Sequence, residues 1–199
     1  ATIQSITEKY LNKVNTENQC EYSTAVVLRP STGEVLAIAT TPTYDPNDPF
    51  TPYSDELKQK WDTMTSEEKN NALNDMWRNK TISNVAEPGS TFKIVTATAA
   101  LEENVTQMDN AGEFNCSGSM KIGGWTIRCW RSPRAHGAQS LREGIMNSCN
   151  PVFMQVSQKI GIEKYCEYLK AFNLDSKTGI DLPGEASGIM HDPKAMTAV

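Results

Sequence analysis

No run of about 18 apolar residues occurs anywhere in the chain, so no segment of it reads as a membrane-spanning helix. No signal peptide opens it, although a secreted or anchored parent protein is compatible with both absences. No cluster of lysine and arginine is present, and the formal net charge of -5 argues against a nucleic-acid partner. Internal repeats and low-complexity tracts are also missing. There is no Cys-x-x-Cys, yet there are five cysteines, an odd number that cannot all pair within one chain. Sequons at Asn79, Asn104 and Asn115 carry meaning only in a eukaryotic source. What remains is 199 residues, 38% hydrophobic and 22% charged. That describes a globular chain with room for one good-sized domain, or a domain plus an appendage.

Periodicity gives the organisation. In residues 2–15, Ile3, Ile6, Tyr10, Leu11 and Val14 share one helical face. Two β-rich runs around Pro30-Ser31-Thr32-Gly33 predict a hairpin, with Val35 to Ala39 as a strand buried on both faces. Residues 41–80 are polar and rich in Pro, Asp, Asn and Lys, and predict a surface excursion with one short helix opened by a Thr65/Glu68 capping box. From Ser90 to about Leu101 the chain is apolar nearly all round, as in a central helix. Residues 104–175 predict a mainly helical subregion with a short β ribbon at 112–130. Within it lie a helix opened by a Ser140/Glu143 capping box, one after Pro151 and one over "GIEKYCEYLKAFN".

Two short constellations carry chemistry. Ser90 and Lys93, in "EPGSTFKIV", stand three residues apart, so their side chains meet on one helical face. A serine hydroxyl becomes a nucleophile when a neighbouring base takes its proton. A lysine in apolar surroundings is depressed in pKa, because burial disfavours its charged form. The helix start adds free N–H groups and partial positive charge for a developing oxyanion. The bland alternative is an ordinary serine N-cap. The second constellation is "NSCNP", residues 147–151, at the joint between two predicted helices. Ser148 can relay a proton there, and Asn150 offers a donor and an acceptor to a peptide-like amide. The bland alternative is a cluster of helix caps.

Cys116, Cys129, His136 and Cys149 lie within 34 residues, and Cys149 is the middle residue of Ser148-x-Asn150. Their soft sulfur and nitrogen ligands suit a structural, tetrahedral zinc with no open position. Two other readings stand beside it. One is a Cys116–Cys129 disulfide closing the ribbon. The other is small, buried free thiols, with His136 a loop residue. Cys20 and Cys166 read as free, buried thiols.

Ser-x-x-Lys followed by Ser-x-Asn resembles the active-site signature of penicillin-binding proteins and serine β-lactamases. The blocks "TGEVLAIATTPTYDPND", "RNKTISNVAEPGSTFKIVTATAALE", "NSCNPVF" and "KTGIDLPGEASG" are similar to the transpeptidase domain of class B penicillin-binding proteins of Gram-positive bacteria, from about residue 20 to the end. The resemblance implies an α/β (α+β) fold with an antiparallel, five-stranded-type sheet flanked by helices and an all-α subregion. It implies that residues 1–199 are the N-terminal portion of such a domain.

It further implies a D,D-transpeptidase of peptidoglycan synthesis and cell shape. Ser90 would be the nucleophile, Lys93 its base, Ser148 the proton shuttle and Asn150 the substrate grip. No catalytic cofactor is implied. β-Lactams would acylate Ser90, and a membrane glycosyltransferase would be a partner on the extracytoplasmic face, with an anchor upstream. The family also needs a Lys-Thr-Gly-Thr/Ser strand. Lys177-Thr178-Gly179 is followed by Ile180 and reads as a look-alike, and the sequence ends at "KAMTAV" before the family's catalytic strand, so this chain alone is expected to hold an incomplete site. The rival readings are a D,D-carboxypeptidase, a serine β-lactamase, a non-catalytic β-lactam sensor and a zinc-stabilised binding module. For the β-lactamase, no loop glutamate stands out as a deacylating base.

Overall fold

The computed structural model describes residues 1–190, and the closing "KAMTAV" lies outside them. They fall into two compact units, one of residues 1–85 with 180–186 and one of residues 86–179 with 187 onward.

The first unit opens with helix α1, Thr2–Asn18, which ends on Gln19 in the left-handed conformation. Strands β1, Ser23–Leu28, and β2, Val35–Thr41, form the predicted antiparallel hairpin, with Ala25 opposite Ala39. Its turn closes through the Gly33 N–H on the Arg29 carbonyl at 2.8 Å, with Gly33 at φ 75. That positive φ is one a residue with a Cβ rarely adopts. Burial along β2 alternates, with Ala37, Ala39 and Thr41 inside, so the strand is buried on one face and not on both. The reason is α1. Its Gln4 amide donates to the Ile38 carbonyl at 2.8 Å and accepts from the Ile38 N–H at 3.0 Å. One side chain thus pairs with Ile38 as a further strand would. Asn12 accepts from the Thr41 hydroxyl farther along the same helix face. The polar face therefore meets the sheet, and Ile3, Ile6, Tyr10 and Val14 are 44–57% exposed.

Residues 41–80 carry two helices where one was expected. These are α2, Asp55–Trp61, capped by Ser54, and α3, Ser66–Trp77, with the Thr65/Glu68 capping box in place. One turn, α4, Lys80–Ser83, follows. Most of the stretch is exposed or half-buried, with Thr41, Pro52 and Met76 turned inward.

The second unit begins with a 3₁₀ turn, Gly89–Phe92, running into α5, Lys93–Glu102. Val95, Thr96, Ala97, Ala99 and Ala100 are buried, but Ile94 is 67% exposed, so α5 has an outer face. Strands β3, Phe114–Cys116, β4, Ser119–Ile122, β5, Trp125–Arg128, and β6, Gly137–Gln139, are short; β3 pairs with β6, and β4 with β5. Helix α6, Leu141–Met146, starts on the predicted Ser140/Glu143 box. Helices α7, Asn150–Ile160, and α8, Ile162–Ala171, complete the unit. Its core gathers Ala99, Ala100, Phe114, Leu141, Val152, Phe153 and Val156 with three of the cysteines. The antiparallel, helix-flanked class stands. In place of a five-stranded-type sheet, however, the described residues hold three two-stranded sheets. Lys177-Thr178-Gly179 lies in coil, outside any strand.

Gly144 shows how closely α6 and α7 approach. A Cβ built there would stand 2.5 Å from a Val152 methyl. Gly144→Ala is therefore expected to destabilise the fold by about 1–3 kcal/mol, overpacking outweighing the better helix propensity of alanine. Chemical denaturation of the two proteins measures it, and an unchanged or raised midpoint would contradict the tight approach.

Candidate active site

Ser90 and Lys93 come together because Gly89, at φ 57, turns the chain into the 3₁₀ segment that α5 continues. The Lys93 amine is the hub. It lies 3.1 Å from Ser90 Oγ, 2.9 Å from Ser148 Oγ, 2.8 Å from the Ser148 carbonyl oxygen and 2.7 Å from Asn150 Oδ1. Ser148 Oγ is in turn 2.9 Å from Ser90 Oγ. The four residues picked from the sequence thus converge, across separations of 55 to 58 positions. Ser90 is exposed and Lys93 is half-buried, so the hydroxyl is the more open of the two to solvent.

The contacts constrain the protonation chemistry. The Ser148 carbonyl and Asn150 Oδ1 can only accept. A neutral amine spends its two N–H groups on them and turns its lone pair to the side of the two hydroxyls, where it can accept from one of them. Burial pushes the Lys93 pKa below the ordinary lysine value, and the neighbouring Cys149 and Cys129 sulfurs oppose the shift. The Phe153 ring, 5.5 Å from Nζ, supplies the apolar side of this environment.

Ser148 has φ 45, a left-handed backbone that costs a non-glycine residue about 1–2 kcal/mol. That conformation lets one residue aim both its carbonyl and its hydroxyl at Lys93. The turn is tied to α6 by the Ser148 N–H on the Ile145 carbonyl at 3.0 Å and the Cys149 N–H on the Gly144 carbonyl at 2.9 Å.

Behind the turn, Cys116, Cys129, His136 and Cys149 offer ligand atoms that all lie within 4.8 Å of one another. A tetrahedral zinc with bonds near 2.3 Å sets its sulfurs about 3.8 Å apart, so small rotations close the shell. The three thiols are buried, all five cysteines are free, and His136 Nδ1 is 3.4 Å from Cys129 Sγ. Of the other two, Cys166 is buried as expected, whereas Cys20, just past the end of α1, is exposed. Burial resists ionisation of Cys116, but N–H groups of His136 and Gly118, the His136 ring and Cys149 outweigh it and bring the thiol down to about 6. Burial pushes Cys149 up to about 11, against the Gln139 amide and the Val152 N–H and with help from Cys116. Four thiol and imidazole groups packed this closely form a donor set for a soft cation.

Three residues that the sequence did not single out connect cluster and turn. Asn147 Nδ2 donates to Gln139 Oε1 at 2.8 Å, and the Trp130 indole N–H donates to the Asn147 carbonyl at 2.8 Å. The Trp130 ring also meets the His136 ring edge-on at 5.4 Å. Neighbourhood was the available signal, since Trp130 follows Cys129 and Asn147 precedes Ser148.

A family model described as the penicillin binding protein transpeptidase domain matches residues 23–198. The chain is similar to stage V sporulation protein D of Bacillus subtilis (strain 168), with 34% identity over 188 residues, which are 94% of this chain and 26% of that protein. It is also similar to the peptidoglycan D,D-transpeptidase MrdA of Escherichia coli (strain K12), with 32% identity over 169 residues, 83% of this chain and 25% of the relative. The chain therefore spans about a quarter of the length of these curated relatives. Among solved structures, penicillin-binding protein 3 of Mycobacterium tuberculosis covers 99% of the chain with a TM-score of 0.78 and 28% identity, the chain matching 39% of it. That protein has also been solved in complex with ampicillin.

The depressed Lys93 pKa is open to direct measurement. Carbon-13 NMR of the reductively methylated chain should show one lysine titrating below those of the same chain unfolded, and Lys93→Arg should remove that resonance. Because the unfolded chain then binds the extra proton, stability rises with pH across the interval between the two values. A Lys93 resonance at or above the unfolded value would overturn the neutral-amine reading.

Proposed function

The chain belongs to the penicillin-binding protein transpeptidase family, in its class B branch, and from that premise we propose that it carries the acylation centre of a peptidoglycan D,D-transpeptidase. The observation that carries the reading is the triangle of Ser90 Oγ, Ser148 Oγ and Lys93 Nζ, with sides of 2.9 to 3.1 Å. In this reading neutral Lys93 takes the Ser90 proton, directly or through Ser148. Ser90 Oγ attacks the carbonyl between the two terminal D-alanines of a stem peptide. The developing oxyanion is met by the Ser90 N–H at the start of the helical segment. Collapse of the tetrahedral intermediate breaks the C–N bond, and the proton held by Lys93 goes through Ser148 to the departing D-alanine amine. An amine of a second stem then attacks the ester, forms the cross-link and frees Ser90. Asn150, its Oδ1 engaged by Lys93, keeps Nδ2 free to donate to the donor amide carbonyl.

β-Lactams acylate the same serine in this proposal. The same proposal has the site work on the extracytoplasmic face of the cell membrane, where stem peptides are cross-linked, beside a membrane glycosyltransferase that makes the glycan strands, with residues 1–199 as part of the transpeptidase domain. The family's third motif is assigned to no described residue, since Lys177 lies in coil.

The same reading gives Cys116, Cys129, His136 and Cys149 one structural zinc. Four protein ligands leave it no open position, so it binds no substrate. Its role is to hold Cys149, and with it the residues on either side, Ser148 and Asn150.

Two experiments on the whole protein test these assignments. Ser90→Ala should reduce covalent labelling by benzylpenicillin, read by intact mass, at least about a thousandfold; persisting label on a folded variant would move the nucleophile elsewhere. The purified protein should contain about one zinc per chain, and a chelator should lower its melting temperature. Metal-free protein with a Cys116–Cys129 bond by peptide mapping would overturn the zinc assignment.

A further inference from the structure

A buried amide N–H without an acceptor is costly, so one that persists in a folded core needs an explanation, a bound ion among them. Gln139 presents such a group. It ends strand β6 and is 2% exposed. The two ends of its amide are treated differently. Oε1 accepts from Asn147 Nδ2 at 2.8 Å, whereas Nε2 is buried and has no hydrogen-bond partner among the described residues. The group beside that N–H is the Cys149 thiol. A thiol sulfur is a weak acceptor, but a sulfur bound to a metal is a thiolate with charge to share. The idle donor therefore fits Cys149 as a metal ligand, since metal ligands are commonly held by such an outer hydrogen bond. A glutamine that served the fold alone would need only its oxygen.

We propose that Gln139 is a positioning residue that joins the metal shell to the acylation site, its Nε2 donating to the zinc-bound Cys149 sulfur while its Oε1 holds the Asn147 amide. The amide group is planar and rigid, so fixing one end fixes the other. Asn147 immediately precedes Ser148, and Cys149 immediately follows it. One side chain thus grips the Ser148 turn on both sides, and the grip is complete when the metal site is filled. The Ser148 hydroxyl and carbonyl oxygens, 2.9 and 2.8 Å from the Lys93 amine, depend on that turn. The inference rests on the zinc and acyl-enzyme readings above.

The test compares the wild type with Gln139→Glu and Gln139→Leu in the whole protein. Gln139→Glu keeps an oxygen for Asn147 but sets a carboxylate against the anionic sulfur, and Gln139→Leu offers neither contact. Zinc affinity is measured by competition with a chromophoric chelator. The second-order rate of benzylpenicillin acylation is measured by intact mass at saturating zinc. Both variants should bind zinc about 10–100-fold more weakly than the wild type, Gln139→Glu the more weakly of the two. The acylation rates should rank the other way. Gln139→Leu, which releases Asn147, should be about tenfold slower than the wild type, and Gln139→Glu closer to it. Wild-type zinc affinity in either variant would overturn the proposal, and so would wild-type acylation by Gln139→Leu. Either variant decides the metal contact by itself, should the other not fold. Wild-type protein that takes up no zinc would overturn the zinc assignment, and this inference with it. Wild-type protein that takes up zinc yet stays unlabelled would overturn the acyl-enzyme reading, and the inference with it.

Discussion

Everything at the candidate site depends on one amine meeting two oxygens that can only accept. The Ser148 carbonyl and Asn150 Oδ1 hold Lys93 at 2.8 and 2.7 Å. They thereby decide which way its lone pair points once the proton is gone. Without them a lysine beside a serine is an N-cap and a neighbour. With them the amine has an open side, and both hydroxyls lie on it. The contact also spans more than 50 residues of sequence, so it ties the start of α5 to the joint between α6 and α7.

Holding those two oxygens in place requires a turn that the backbone disfavours. Ser148 is left-handed, and nothing local to three polar residues would keep it so. The surroundings supply the constraint. Gly144 lets α6 approach Val152 of α7, the Cys149 N–H returns to the Gly144 carbonyl, and the Cys149 thiol sits in a buried group of sulfurs and imidazole. Gln139 and Trp130 close the circle through Asn147. The turn is thus gripped from behind by buried groups and from in front by Lys93.

Much of this was legible in the residues, for identifiable reasons. Capping boxes are local, and both Thr65/Glu68 and Ser140/Glu143 formed as written. The hairpin announced itself by turn chemistry. The site residues were legible because helical spacing and short motifs carry them. What periodicity does not tell is which surface a helical face meets. The stripe of Ile3, Ile6, Tyr10, Leu11 and Val14 gave the helix and was silent on its docking face; Gln4 pairs with the backbone of β2, Leu11 is half-buried and the other four are exposed. Val35–Ala39 read as fully buried because periodicity is blind to side-chain size, and small alanines on one face looked like a continuous apolar run. Trp130 and Gln139 escaped notice because their roles exist only in the folded contact map.

The order Ser148, Cys149, Asn150 has a further consequence, for how this sequence can drift. Three adjacent positions point in alternate directions, the outer two toward the Lys93 amine and the middle one into the interior. The interior side chain is therefore a shim. A residue of another size at Cys149 shifts both neighbours at once through the backbone, so the contacts they make with Lys93 change together rather than one by one.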